Sequence, residues 1–174
     1  MASGQEGTNR KSIELPPIEV DTTLAFEAPE PLAGLEYWRG KAEGRPMPRR
    51  NDIRPEEIAS LLPYLVLFDL TPLPGGGVDM FPRLAGARFE EVFGSIHNRP
   101  LSTRLAPEIL ARWRGVAHAM LEHGGPIRAF GNVLHQDKTF IRFELLLAPL
   151  GRDGQSADTM FLVSHFWMRS EIGA

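Results

Sequence analysis

Apolar positions fall into alternating and helical blocks along this chain, and the blocks change type in a defined order. Leu65 to Leu70 is a nearly continuous apolar run broken by Asp69, the pattern of a buried strand. Pro72 to Gly77 is a turn by composition, and Val78 to Ala85 reads as a second strand. Pro82 within it predicts an edge position or a bulge, because proline cannot donate to a ladder. Gly86 marks a tight corner. Phe89, Val92 and Phe93 then give a short amphipathic helix closed by Gly94. Ser95 to Ala106 has little periodicity and predicts one or two helical turns. Pro107 opens a long helix that stops at Gly124 and Gly125, with Ile109, Trp113, Val116 and Met120 as its apolar stripe. Three strands follow, over Pro126–Leu134, Thr139–Ala148 and Asp158–Arg169. His135 to Lys138 form a hairpin turn, and Gly131 predicts a bulge. In the second of these strands Ile141, Phe143, Leu145 and Leu147 share one face, while Arg142 and Glu144 share the other.

Ahead of this core, Pro29 to Pro31 opens a helix whose apolar residues are Leu32, Leu35, Trp38 and Ala42, with Gly44 at its C-terminal cap. That stripe predicts packing on the sheet or across a homodimer. Arg45, Arg49, Arg50 and Arg54 follow among prolines in an extended loop, read as a solvated surface or as an anion or partner site. A short helix over Pro55–Leu62 carries Glu56 and Glu57 in its first turn, where the helix dipole favours them. Met1 to Thr23 is polar, with a short extended piece at Ile18 to Val20. The division expected is a flexible leader over 1–28, a helical cap and Arg/Pro loop over 29–63, and a core over 64–170. The fold class is α+β: a five-stranded antiparallel sheet with helices on one face and N-terminal capping helices. The expected core is Leu67, Phe89, Phe93, Trp113, Val116, Met120, Ile141, Phe143, Leu145 and Val163.

Bulk properties narrow the chemistry. At 174 residues the chain suffices for one domain with a real core. A net charge of −3 gives no pull toward nucleic acid or anionic membrane. With no cysteine there is no disulfide, thiolate metal site, thiol nucleophile or cysteinyl–flavin adduct. No signal-peptide core and no bilayer-spanning apolar run occurs, so a cytoplasmic protein is expected. The triple glycine at Gly75 to Gly77 is not a phosphate loop, since no GK[ST] follows.

The order of elements resembles the PAS fold. More narrowly, the chain resembles a family of small standalone PAS-like proteins of alphaproteobacteria, with mostly unassigned function. The residues that carry the match are Tyr37-Trp38, Pro48-Arg49-Arg50-Asn51-Asp52-Ile53-Arg54-Pro55, Leu61-Leu62-Pro63, Phe81 to Gly86, Phe93-Gly94 and Leu147 to Leu150. It spans residues 32–168. The resemblance implies sensing or protein interaction rather than catalysis, through a small ligand, a haem or a flavin held between sheet and helices, or through contacts alone. It implies signalling in trans to a protein partner.

Candidate chemistry follows from side-chain placement. Haem-binding members use a histidine on the long helix. At about 100° per residue, His118 lies roughly 160° from Val116, on the solvent side, whereas His123 faces the sheet at the helix end. Non-covalent flavin has no positive signal. Arg142 and Glu144, with Arg83 on an early strand, are either a polar anchor for a carboxylate-bearing ligand or an ion pair on an outward sheet face. Trp113, Met120, Arg142, Glu144 and His165 form the expected ligand-binding set. Leu35, Trp38, Arg49 and Arg50 form the expected partner or dimer surface. A small α+β-barrel enzyme of isomerase or hydratase type is the alternative. It requires two of His135, Asp137, His165 and Glu144 to converge in one apolar pocket. A third reading is an adaptor whose interior is filled by its own side chains.

Overall fold

A computed structural model of the chain describes residues 18–134 and 140–167. It contains strand β1 (Glu19–Asp21), helix α1 (Pro29–Ala42), strands β2 (Leu65–Pro72) and β3 (Val78–Ala85), helices α2 (Ala87–Phe93) and α3 (Pro107–His123), and strands β4 (Ile127–Leu134), β5 (Phe140–Leu150) and β6 (Thr159–Trp167). Short 3₁₀ segments cover Arg50–Asp52, Pro55–Tyr64 and Leu101–Thr103. The architecture is α+β, with one antiparallel sheet in the order β1-β4-β5-β6-β2-β3.

Six strands, not five, make the sheet. The added strand is β1, which pairs Glu19, Val20 and Asp21 with Phe130, Ala129 and Arg128. Within the leader expected over 1–28, this pairing falls on the extended piece expected at Ile18 to Val20, one residue along. Pro82 sits on edge strand β3, where its missing N–H breaks no inner ladder, and the register shifts at Leu67/Phe68 opposite it. No such shift occurs at Gly131, which pairs regularly with Phe143. The expected turn at His135 to Lys138 lies outside the described residues.

Helices cover both faces of the sheet, whereas the sequence pattern suggested one face plus a cap. On one face α2 and α3 pack on Val66, Phe68, Met80, Ile127, Phe143, Leu145, Leu147, Met160 and Leu162. On the other, α1 and the 3₁₀ segment pack on Leu65, Leu67, Leu146, Ala148, Leu150, Phe161 and Val163. Double coverage explains why β5 reads Leu145-Leu146-Leu147-Ala148 without alternation: every side chain in that run is fully buried. Leu67 and Val163 thus belong to the cap-side core, away from Trp113 and Met120.

The stripe of α1 turns inward. Leu35 and Trp38 are 2% and 6% exposed, and Trp38 Nε1 donates to the Pro149 carbonyl at 2.8 Å. Both residues are spent on this protein's own sheet, which removes them from the expected dimer surface. The helix lies close because Gly34 faces the sheet. A Cβ there would stand 2.7 Å from Val163 Cγ2. Gly86 serves the corner after β3 in the same way, since a Cβ would stand 2.3 Å from the Leu62 carbonyl oxygen. Helix α1 ends at Ala42, with Glu43 and Gly44 both in the left-handed region.

Candidate functional site

Helix α3 buries Leu110, Trp113, Val116, Ala117 and Met120 against the sheet. Behind Trp113 the interior is filled by aromatic rings. Phe89, Phe93 and Phe166 pack on one another, and Trp113 meets Phe89 and Phe93 edge-on at 5.8 and 5.1 Å. The space left among Phe68, Phe89, Ile96, Leu101 and their neighbours is about 10 Å³, at the lower limit for one water.

The room lies one layer outward. A cleft of about 270 Å³ opens between the start of α3, the connection before it, and β4 and β5. Phe93, Ile109, Trp113, Val133 and Phe143 form its apolar walls, and Ile18 ahead of β1 closes one end. Arg104 and Arg112 stand among the lining residues. Arg104 is exposed, Arg112 is half-buried, and burial holds Arg112 below the ordinary guanidinium value. The arrangement is an apolar slot with cationic groups on one side, suited to a small amphipathic anion.

Of the expected ligand set, only Trp113 lines this cleft. Met120 is fully buried in the core beyond it. Arg142, Glu144 and His165 project from the opposite face of the sheet, so the five residues do not share a pocket. Nor does Arg83 join Arg142 and Glu144; its Nε bonds Asp69 Oδ2 at 2.6 Å across β2 and β3.

Glu144 is not on an outward face. It is fully buried beneath the segment that links β1 to α1, and it accepts the backbone N–H groups of Glu27 (3.1 Å) and Ala28 (2.8 Å). Arg128 Nε donates to its other oxygen at 2.6 Å. Arg142 pairs with Glu27 and lies over the Trp167 ring at 4.1 Å. His165 Nδ1 lies 2.8 Å from Glu30 Oε2 on α1. Together these contacts clamp residues 21–30 across the sheet. Glu144 and His165 are cross-strand partners, yet the first is saturated by donors and the second is held by Glu30. Neither residue lines the apolar cleft. His135 and Asp137 lie outside the described residues.

The histidines of α3 do not fit an iron ligand in the cleft. His118 pairs with Glu122 at 3.0 Å on the exposed side. His123 is also exposed, not sheet-facing, because the buried stripe ends at Met120 one turn earlier. Among the described residues no imidazole lines the cleft, and no group of three or more His, Cys, Asp or Glu could hold a metal ion. Arg49 and Arg50 lie far from this cleft, in a separate polar groove beside β2 and β6.

Sequence reasoning missed Arg112 and Val133. Ile109, Arg112 and Trp113 share one helix side at spacings three and four, a signal that was available. Nothing in the sequence signals that Arg128, Glu27 and Glu144 meet, because they are brought together by strand order.

A family model described as PAS domain matches residues 28–163. No protein of curated function matches the chain. Among solved structures the chain is similar to a variant of RsLOV, with 18% identity over 68% of this chain and 70% of that one, at a TM-score of 0.44. It is also similar to an RNA-binding light-oxygen-voltage receptor, with 14% identity over 68% of this chain and 35% of that one, at a TM-score of 0.39. No described helix is long and apolar enough to cross a membrane.

Proposed function

The chain belongs to the PAS domain family, and from that premise we propose that it is a cytoplasmic sensory module that reads a small amphipathic anion. The observation that carries this reading is the 270 Å³ apolar cleft with Arg104 and Arg112 in its lining. Binding there would press on α3 and on β4 and β5, and so on the strap and cap clamped to the other side of the same strands. The altered surface would be read in trans by a protein partner. A homodimer contact in this reading falls to the outer side of α1, where Leu32 is exposed, since Leu35 and Trp38 are buried.

The test uses 1-anilinonaphthalene-8-sulfonate, an apolar anion with a fluorescence readout. Saturable binding is expected, lost in Ile109→Trp, which fills the cleft, and weakened in Arg104→Glu. Binding that is unchanged in both variants overturns the reading. Native mass spectrometry of freshly purified protein supplies the mass of any co-purified ligand and of the oligomer.

A second reading, a ligand-free adaptor, is favoured by the aromatic filling behind Trp113. It expects no saturable binding in the wild-type protein.

A further inference from the structure

The loop at 45–54 separates its arginines into two kinds. Arg45 Nη2 bonds Asp52 Oδ2 at 2.6 Å, and Arg45 also donates to the carbonyls of Lys41 and Ala42. Arg54 lies 3.7 Å from Glu57. Arg49 and Arg50 make no ion pair among the described residues. They line a polar groove of about 480 Å³ with Asn51, Thr71, Arg152, Asp158 and Asp69.

The groove is held in shape by the loops around it. Arg49 N donates to Asp52 Oδ2 at 2.8 Å, and Gly151 N donates to the Pro48 carbonyl at 3.2 Å, which ties the arginine loop to the β5–β6 connection. Asp153 accepts the N–H groups of Gln155 and Ser156, both at 2.8 Å, and fixes that connection. Leu70 N donates to the Asp158 carbonyl at 2.9 Å and joins the floor strands.

Its carboxylates are occupied. Asp69 is bound by Arg83. Asp158 accepts from Arg152 N at 3.1 Å and from Thr159 Oγ1 at 3.0 Å, with Arg152 Nε at 3.9 Å. The charge of Arg49 acts on nearby Asp52 and Asp153, but as the least of the influences that lower each carboxyl, behind Arg45 and the Arg49 amide at Asp52 and behind the backbone N–H groups of Ser156 and Gln155 at Asp153. Two arginines with no ion pair among the described residues therefore line a polar groove shaped by the surrounding loops. Planar, permanently charged forks in that setting match a phosphate group.

We propose that this groove binds the phosphate group of a small phosphate ester, with Arg49 and Arg50 as its ligands and Asn51 and Thr71 as neutral partners. The site is separate from the apolar cleft and does not depend on it.

The test is a calorimetric titration of the full chain with adenosine diphosphate, inorganic pyrophosphate and adenosine at low salt. The diphosphate and pyrophosphate are expected to bind, adenosine to fail, and affinity to fall as salt rises. Arg49→Ala/Arg50→Ala is expected to weaken binding by about tenfold or more, as loss of charge-assisted hydrogen bonds does. Ile109→Trp, in the other cleft, leaves it unchanged. If pyrophosphate alone binds, the ester portion of the proposal falls. If the double variant binds as the wild type does while melting at the same temperature, or if neither phosphate compound binds, the site is overturned. Should the double variant misfold, Arg49→Lys/Arg50→Lys decides: charge without the fork is expected to retain only part of the affinity.

Discussion

Arg128 on β4 and Glu144 on β5 meet through a 2.6 Å contact with both side chains sealed from solvent, at 8% and 0% exposure. They are diagonal neighbours across the ladder, and the carboxylate they share is what the strap to α1 is hung from. Glu144→Ala strips Arg128 and the Glu27 and Ala28 amides of their acceptor. The expected loss is about 3 kcal/mol in urea unfolding, since the two strap amides are orphaned and Arg128 keeps only its longer contacts to Asp21 (3.7 Å) and Glu27 (3.9 Å). Arg128→Met/Glu144→Leu should recover much of it. A single variant within 1 kcal/mol of wild type, on the order of surface effects, contradicts this account.

Acid should loosen the strap before the core. The Arg142 hydrogen bond, and then its charge, hold the Glu27 carboxyl below the ordinary value of 4.5, against a weaker opposing effect of burial. The Thr23 hydroxyl and amide likewise hold Asp21 below 3.8. A depressed folded-state value means the stabilisation is fully present above the ordinary value and lost as pH falls through the folded one. Amide exchange at Glu27 and Ala28 should therefore rise below about pH 4.5, ahead of exchange at Leu145 or Val163. Simultaneous loss of protection at all four sites would contradict this order.

Gly34 sets how closely α1 lies on β6. In a free helix Gly→Ala would gain roughly 1 kcal/mol. Here the new methyl would meet Val163 Cγ2 at 2.7 Å, so a net destabilisation of about 1–2 kcal/mol is expected. Gly34→Ala/Val163→Ala should be less destabilised than the two single changes added together. Thermal melts of the four proteins measure that difference. A stabilised Gly34→Ala protein refutes the close approach.

Trp38 anchors the cap twice, by burial and by its bond to the Pro149 carbonyl. Trp38→Ala is expected to cost about 3–5 kcal/mol. Trp38→Phe keeps most of the packing and should cost less, near the worth of one hydrogen bond plus some lost volume, about 1–2 kcal/mol. Chemical denaturation distinguishes them. If Trp38→Ala instead leaves stability intact and dissociates a dimer, then Trp38 serves an interface between copies.

The positions of the core strands, the long helix and the PAS resemblance were legible because each depends on local rules: period, proline and glycine punctuation, and the order of blocks. Val78–Ala85 and Pro107–His123 follow from those alone. The face pattern of β5 was legible too, but its meaning was not. Alternation put Arg142 and Glu144 together and away from Phe143, correctly. It could not say whether that side met water or another layer. The unbroken apolar run at Leu145 to Ala148 carried the hint of two covered faces, and α1 supplied the cover.

What the sequence by itself determined is the order of the core strands and helices, their amphipathic faces and the lack of thiols. Tertiary structure alone decided what each face meets. Placing β1 beside β4, and the strap over β5, brought Glu27 to Glu144 across 117 residues of chain and turned a presumed surface pair into a buried clamp. It also filled the interior with Phe89, Phe93 and Phe166, moved the available space out to a cleft beside Trp113, and placed Arg49 and Arg50, without an ion pair among the described residues, in a separate groove. Periodicity reports the direction of a side chain from its own backbone. Burial, charge pairing and cavities depend on which distant segment arrives opposite, and chain topology settles that.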